Sequence, residues 1–183
     1  VIGPNAADST MLWANYNGSP QRTVTILEGI QKKLPEGSVI YEKGCDHVLN
    51  KDVNFEKVAA KVSDADVIIF VGGISPRLEG EEMRVDFPGF RGGDRTTIEM
   101  PEVQRNLLKA LKATGKPVVF VLCAGSAMAV TWENENLDAI LNAWYAGQEG
   151  GTAVADVLFG DYNPAGRLPV TFYASVDQIP DFE

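Results

Sequence analysis

VIIFVGGISPRLEGEEMRVDFPGFRGGDR, residues 67–95, divides sharply at Gly73. Its first seven residues are a continuous β-branched and aromatic run without polar alternation, as expected for a parallel strand covered by helices on both faces. The 23 residues from Gly73 to Arg95 hold four arginines against Glu79, Glu81, Glu82, Asp86 and Asp94, and show neither helical nor strand periodicity. A loop that long in a compact domain is usually functional or disordered. Its place after a buried strand favours function, because ligands in open α/β sheets sit outside the carboxyl ends of the strands.

Outward from this segment, apolar runs and amphipathic stretches alternate. VIG (1–3) reads as the end of a strand, and a short helix is possible near Met11. Leu27, Ile30 and Leu34 share one face of a helix that a Thr25/Glu28 capping box starts and Pro35 and Gly37 stop. SVIYEKG (38–44) reads as a short strand, and Asn54 can cap a helix bearing Phe55, Val58 and Val62. After the loop, Pro101 opens a helix with Val103, Leu107, Leu108 and Leu111 on one side, ended by Gly115. VVFVL (118–122) and AILNAWY (139–145) read as strands, a helix is expected from about Glu149 to Phe159, and the stretch 160–173 can end in a last strand. This alternation predicts a single α/β domain over residues 1–183. Its doubly wound, mostly parallel sheet of five or six strands is flanked by helices as a three-layer sandwich.

Composition narrows the partners. The 183 residues are 45% hydrophobic, and no apolar run approaches the roughly 20 residues of a membrane helix. A net charge of −9 with no basic cluster lacks the electrostatic footprint of nucleic-acid binding. One histidine, His47, excludes a multi-histidine zinc site, and it reads as an exposed loop residue; no metal and no cofactor is expected. Cys45 and Cys123 lack metal-ligand spacing and read as ordinary strand-end and core residues. The strand end FVGGISP has neither GxGxxG nor GK[ST], and CAGSAM around Ser126 is not GxSxG.

The carboxylate cluster remains. Glycoside hydrolysis needs one carboxylic acid to protonate the leaving oxygen and a second carboxylate as nucleophile or base. Glu79, Glu81 and Glu82 supply candidates, with Arg77, Arg84 and Arg95 opposing any upward shift of the donor. A solvated charged loop is the alternative reading of the same residues.

Across its whole length the chain resembles glycoside hydrolase family 3, the β-xylosidases and β-glucosidases. The resemblance is carried by VIGPNA (1–6), LWANYNGSP (12–20), YEKGCD (41–46), DVIIFVGG (66–73), GDR (93–95) followed by MPEVQ, PVVFVL (117–122), WYAGQEGGTAVADVLFGDYNPAGRLPVTF (144–172) and the closing QIPDFE. It implies the second, α/β sandwich domain of a retaining exo-acting β-glycosidase. That domain follows a (β/α)8-type barrel, which carries the aspartate nucleophile and which this chain lacks. The fragment alone is then expected to be inactive. By position, the general acid/base falls on Glu81, with Glu79 as second choice. Asp94 and Arg95 either anchor the loop or contact sugar, and Asn15 and Tyr16 either face a sugar or serve the Asn17-Gly18 turn. The implied partners are the barrel of the same polypeptide and a β-linked xylo- or gluco-oligosaccharide. NYNGSP and YEKGCD lean towards β-xylosidase, with β-glucosidase or a noncatalytic carbohydrate-binding module as alternatives. A secreted or periplasmic location goes with the resemblance.

Overall fold

The structure, a computed structural model, describes residues 1–49, 52–80 and 82–181. Three parallel strands form its centre: β1 (Ile68–Gly73), β5 (Val118–Cys123) and β6 (Ala139–Asn142), in the order β1-β5-β6. Phe70 pairs in register with Phe120, and Ile140 follows on the next strand. Single parallel bridges from Ile2 to Phe70 and from Ile2 to Glu42 extend the sheet by two more chain segments.

Alternation along the strands divides the core into two layers. Phe70 and Phe120, tilted at 51° with ring centroids 5.6 Å apart, pack on one face with Val62, Leu107, Leu108 and Leu111. Those residues come from α2 (Phe55–Ala60) with its trailing turn and from α3 (Glu102–Lys112). Val71 and Val121 point the other way, into Ile26 and Ile30 of α1 (Ile26–Lys33) and Val154 of α5 (Gly150–Leu158). Full burial of each large aliphatic or aromatic side chain contributes about 1.5–3 kcal/mol. A doubly covered strand needs no polar face, which is why β1 and β5 read as unbroken apolar runs.

The helix ends follow their side-chain chemistry. Thr25 accepts from the Glu28 backbone N–H while the Glu28 carboxylate accepts from Thr25 N, closing the capping box, and Asn54 Oδ1 accepts from Lys57 N at 2.8 Å. The GlyGly pair of the QEGG stretch has a packing reason. A Cβ on Gly151 would lie 2.0 Å from the Thr25 carbonyl oxygen, and one on Gly29 would lie 2.0 Å from that of Gly151. Bare backbones therefore let α1 and α5 touch.

Several expectations change. SVIYEKG and VIG form single bridges rather than ladders: Ile2 lies between Phe70 and Glu42, and the chain turns away directly after Gly3. Residues 160–173 contain no strand, and AILNAWY is a strand only through Asn142. Pro101 sits at the N-cap of α3 rather than at its first helical position. The short helix expected near Met11 is present as a 3-10 helix, Met11–Trp13, and Thr131–Asn136 add a further short helix, α4.

The loop differs most. Residues 86–95 fold into an antiparallel meander of β2 (Asp86–Phe87), β3 (Phe90–Arg91) and β4 (Asp94–Arg95). Pro88-Gly89 and Gly92-Gly93 form its two-residue turns, with positive φ at all three glycines. Strands of two residues are too short to display alternation, yet Phe90 at 4% exposure and Val85 at 8% fix the meander to the core.

Candidate functional site

The carboxyl end of β1 is gripped from both sides. The fully buried Gln104 amide accepts from Gly73 N at 2.8 Å and donates to the carbonyls of Gly73 (2.6 Å) and His47 (2.7 Å). Asn5 Nδ2 donates to Ile74 O at 2.8 Å. These are residues of the MPEVQ and VIGPN stretches, so two of the sequence signatures hold the point where the chain leaves the sheet.

Beyond that point Glu79 organises the loop. Its Oε1 accepts from Gly125 N and from Tyr145 Oη, both at 2.6 Å, and its Oε2 accepts from Ser126 Oγ at 2.8 Å. Its backbone carbonyl accepts from Asn15 Nδ2 at 2.9 Å. Burial, and next the Glu79 carboxylate beside it, push the Tyr145 hydroxyl far above the usual phenol range, so that it remains a donor at any working pH. Arg95 completes the cluster, with Nη1 donating to Ser126 Oγ (3.0 Å) and Ala127 O (2.7 Å), and Nε to Thr97 O (3.1 Å). Gly80 N donates to Gly93 O at 3.0 Å, and a Cβ on Gly93, whose φ is +94°, would lie 1.8 Å from Gly80 O. The glycine of GDR is thus where the outgoing and returning arms of the loop meet.

Arg77 forms an ion pair with Asp8 and bonds Thr10, giving the loop a second fastening. Burial raises the Asp8 pKa, but hydrogen bonds from Arg77, Thr10 and the Met11 N–H outweigh it and leave the carboxyl below its ordinary value. Backbone strain gathers here too. Among the described residues the non-glycine positions with positive φ are Ala14, Tyr16, Asp52, Glu82 and Trp144. Ala14 and Tyr16 flank Asn15, Trp144 precedes Tyr145, and Glu82 lies on the loop itself. Such conformations cost about 1–3 kcal/mol each and cluster at functional sites.

The sequence candidates are therefore distributed as follows. Glu81 lies outside the described residues. Glu79 is half-buried and hydrogen-bonded through both carboxylate oxygens. Arg95 anchors the loop through Ser126 and carbonyls rather than through Asp94, which is exposed and in register with Arg91. Asn15 holds the Glu79 carbonyl, and Tyr16, 90% exposed, stands beside it. Sequence reasoning missed Gly125, Ser126 and Tyr145. CAGSAM and WYAGQEGG contained them, but nothing local pairs either stretch with Glu79. Trp132 packs against the core under Lys109, and Trp144 meets Phe172 edge-on at 5.9 Å. Arg167 pins its own turn through the carbonyls of Ala165 and Gly166.

His47 departs from expectation. It is half-buried, and burial pulls its imidazole down to about 4, with Asp8 and Asp46 opposing and Arg77 and Lys43 assisting. The sign is that of a base whose folded pKa is depressed. The unfolded chain takes up a proton near its ordinary value while the folded one does not, so this contribution to stability is present above pH 6.5 and lost as pH falls towards 4. Fully developed, the loss is about 3 kcal/mol. Urea unfolding at pH 7 and pH 4.5 should show a steeper decline for the parent than for His47→Gln; parallel declines would contradict this.

Among the described residues no group of three or more His, Cys, Asp or Glu side chains could hold a metal ion. Both cysteines are free and buried, and burial pushes the Cys45 thiol up to about 12. A cavity of 490 Å³, lined by Ile40, Val67, Leu158 and Phe159 among others, lies at the opposite, amino end of the strands. On the loop side a smaller one of 360 Å³ is lined by Trp13, Asn17, Pro20 and Gln148.

The profile of the glycosyl hydrolase family 3 C-terminal domain matches residues 1–183. The chain belongs to glycoside hydrolase family 3. A xylan 1,4-β-xylosidase of Xylanibacter ruminicola is 59% identical over 132 residues, covering 72% of this chain and 15% of that protein. A periplasmic β-glucosidase of Salmonella typhimurium is 38% identical over 203 residues, covering 98% and 25%. Among solved structures, a family 3 exo-β-xylosidase in complex with a xylobiose aziridine activity-based probe gives a TM-score of 0.78 at 32% identity, over 91% of this chain and 20% of that one. A β-glucosidase from Listeria innocua in complex with isofagomine gives 0.81 at 28% identity, over 99% and 24%. The chain spans a quarter or less of the length of these family 3 relatives.

Proposed function

We propose that this family 3 domain is the second domain of a retaining, exo-acting β-xylosidase, and that it supplies the general acid/base, Glu81, to a site completed by a nucleophile carboxylate on an N-terminal (β/α)8-type barrel. The observation that carries the reading is the state of Glu79. Both of its carboxylate oxygens accept hydrogen bonds from Gly125, Ser126 and Tyr145, so of the two candidate glutamates it is committed to holding the loop. Glu81, two residues on, takes the role of proton donor.

In the first step the barrel carboxylate attacks the anomeric carbon and the glycosidic C–O bond breaks. Its electron pair stays on the leaving oxygen, which takes the Glu81 proton. In the second step the Glu81 carboxylate removes a proton from the water that displaces the nucleophile. A retaining pair stands about 5–5.5 Å apart. The loop must therefore reach off its own sheet, and the Glu79 and Arg95 fastenings give it a fixed base from which to do so.

The preference for xylose rests on NYNGSP, YEKGCD and the 59% identity to a xylan 1,4-β-xylosidase. Among the described residues no helix is long and apolar enough to cross a membrane, and one relative is named as periplasmic. A secreted or periplasmic location fits a chain that acts on xylan-derived oligosaccharides. Kinetics of the full-length protein on 4-nitrophenyl β-xyloside and β-glucoside test the reading. A higher kcat/KM for the xyloside is expected, and a strong preference for the glucoside would overturn the sugar assignment. The isolated 183 residues should hydrolyse neither, and turnover by them would overturn the division of the site between two domains.

A further inference from the structure

We infer that Glu79 is a positioning residue for the proton donor, and that it works as the hub of a network joining the loop to the ends of β5 and β6. This inference rests on the reading of Glu81 as the acid. The Glu79 carboxylate receives donors from three separate places: the backbone of Gly125 just after β5, the hydroxyl of Ser126, and the phenol of Tyr145 just after β6. Ser126 Oγ is itself fixed by Arg95 Nη1 at 3.0 Å, so the returning arm of the loop is tied to the same point as the outgoing one. Asn15 holds the Glu79 carbonyl from the other side of the site. Glu81 follows Glu79 by two residues, which span at most about 7 Å of chain, so displacing Glu79 is expected to displace the proposed donor with it. The intervening Gly80 is clasped to Gly93 and cannot absorb that shift alone.

Positioning and proton donation respond differently to substitution. A Gln at 79 is nearly isosteric with Glu and can keep all three contacts. Its amide oxygen can accept from Gly125 N–H and Tyr145 O–H, while its NH₂ donates to Ser126 Oγ, whose own hydrogen turns away. An Ala keeps none, and leaves three donors without their acceptor. A proton donor, by contrast, is lost equally in both variants.

The test compares kcat/KM of the full-length protein on methyl β-xyloside, whose alkoxide needs protonation, and on 2,4-dinitrophenyl β-xyloside, whose leaving group does not. Glu79→Ala should fall about 100-fold on the methyl substrate, as expected for an ångström-scale misplacement of a catalytic group. It should fall less than about threefold on the dinitrophenyl one, while Glu79→Gln stays within about fivefold of the parent on both. Tyr145→Phe, which keeps the ring and removes one donor, should lose about tenfold on the methyl substrate alone, and guards against failure of the Ala variant to fold. Equal losses on both substrates, or an unchanged Tyr145→Phe, would overturn the positioning role. If Glu79→Gln proves as slow as Glu79→Ala on the methyl substrate, Glu79 is itself the donor and the inference falls. Glu81→Gln, measured alongside, separates the two claims. Without leaving-group selectivity there, the acid assignment fails and takes this inference with it; with selectivity there, a failure at Glu79 touches only the positioning role.

Discussion

Glu81→Gln in the full-length protein is expected to lower kcat/KM for alkyl glycosides and disaccharides by about 10²–10⁴-fold, the usual range for loss of general acid catalysis. It should leave kcat/KM for 2,4-dinitrophenyl glycosides within about threefold of the parent. kcat/KM reports the first irreversible step, formation of the glycosyl-enzyme. An alkoxide cannot leave without a proton, so that step loses the donor's full contribution; a dinitrophenolate leaves unaided. The second step behaves differently. If Glu81 is the base for water attack on the glycosyl-enzyme, kcat on the dinitrophenyl substrate should drop and KM should drop with it as the intermediate accumulates, with a burst of dinitrophenolate in the first turnover. Azide, which needs no deprotonation, should restore kcat in the variant and not in the parent. Equal losses in kcat/KM on the two substrates, or no response to azide, would remove Glu81 from the acid/base role. Because Glu79 keeps its three donors in this variant, the loop should hold its place and the change should be confined to proton transfer.

What the sequence made legible follows from the range of the interactions involved. The Thr25/Glu28 box and the Asn54 cap act over three residues, and both are found as read. The apolar runs at β1 and β5 are legible because a strand covered on both faces has no polar position to vary. The loop was recognisable as a candidate site because charge and length mark it, but its inner order was not. The β2–β4 meander is set by turn glycines and by burial of Phe90, with strands too short to carry a period. The partners of Glu79 lie 46, 47 and 66 residues away, brought together only when β5 and β6 align beside β1. No local pattern encodes such a meeting. For the same reason both glutamates remained candidates in the sequence, whereas the folded chain shows Glu79 hydrogen-bonded through both oxygens. His47 shows the reverse failure: a polar stretch reads as exposed, yet the Gln104 amide holds its backbone against the end of β1.

Arg105→Met is expected to destabilise the domain by about 3–5 kcal/mol, the cost of stranding a buried charge. Glu133 is completely buried, and the Arg105 guanidinium meets it in a fork, Nε to Oε1 at 2.9 Å and Nη2 to Oε2 at 3.3 Å, while 23% of the Arg105 side chain stays exposed. That asymmetry makes the arginine the more damaging partner to remove, since the carboxylate left behind has no route to water. A domain of this size should lose about 10 °C in Tm. Replacing both partners, Arg105→Met with Glu133→Leu, should recover most of the loss, because the desolvation of the pair disappears along with its attraction. A double variant as unstable as the single one would mean that packing of the arginine stem, and not the stranded charge, is what counts. The pair also bears on the site, for it fastens α4 to α3 directly after the segment Gly125–Ala127 that receives Glu79 and Arg95. Folded Arg105→Met enzyme should therefore show a reduced kcat/KM on poor leaving groups with little change on activated ones, the same selectivity as Glu79→Ala at smaller amplitude, since both would slacken the anchoring of Glu79 on which the proposed donor depends.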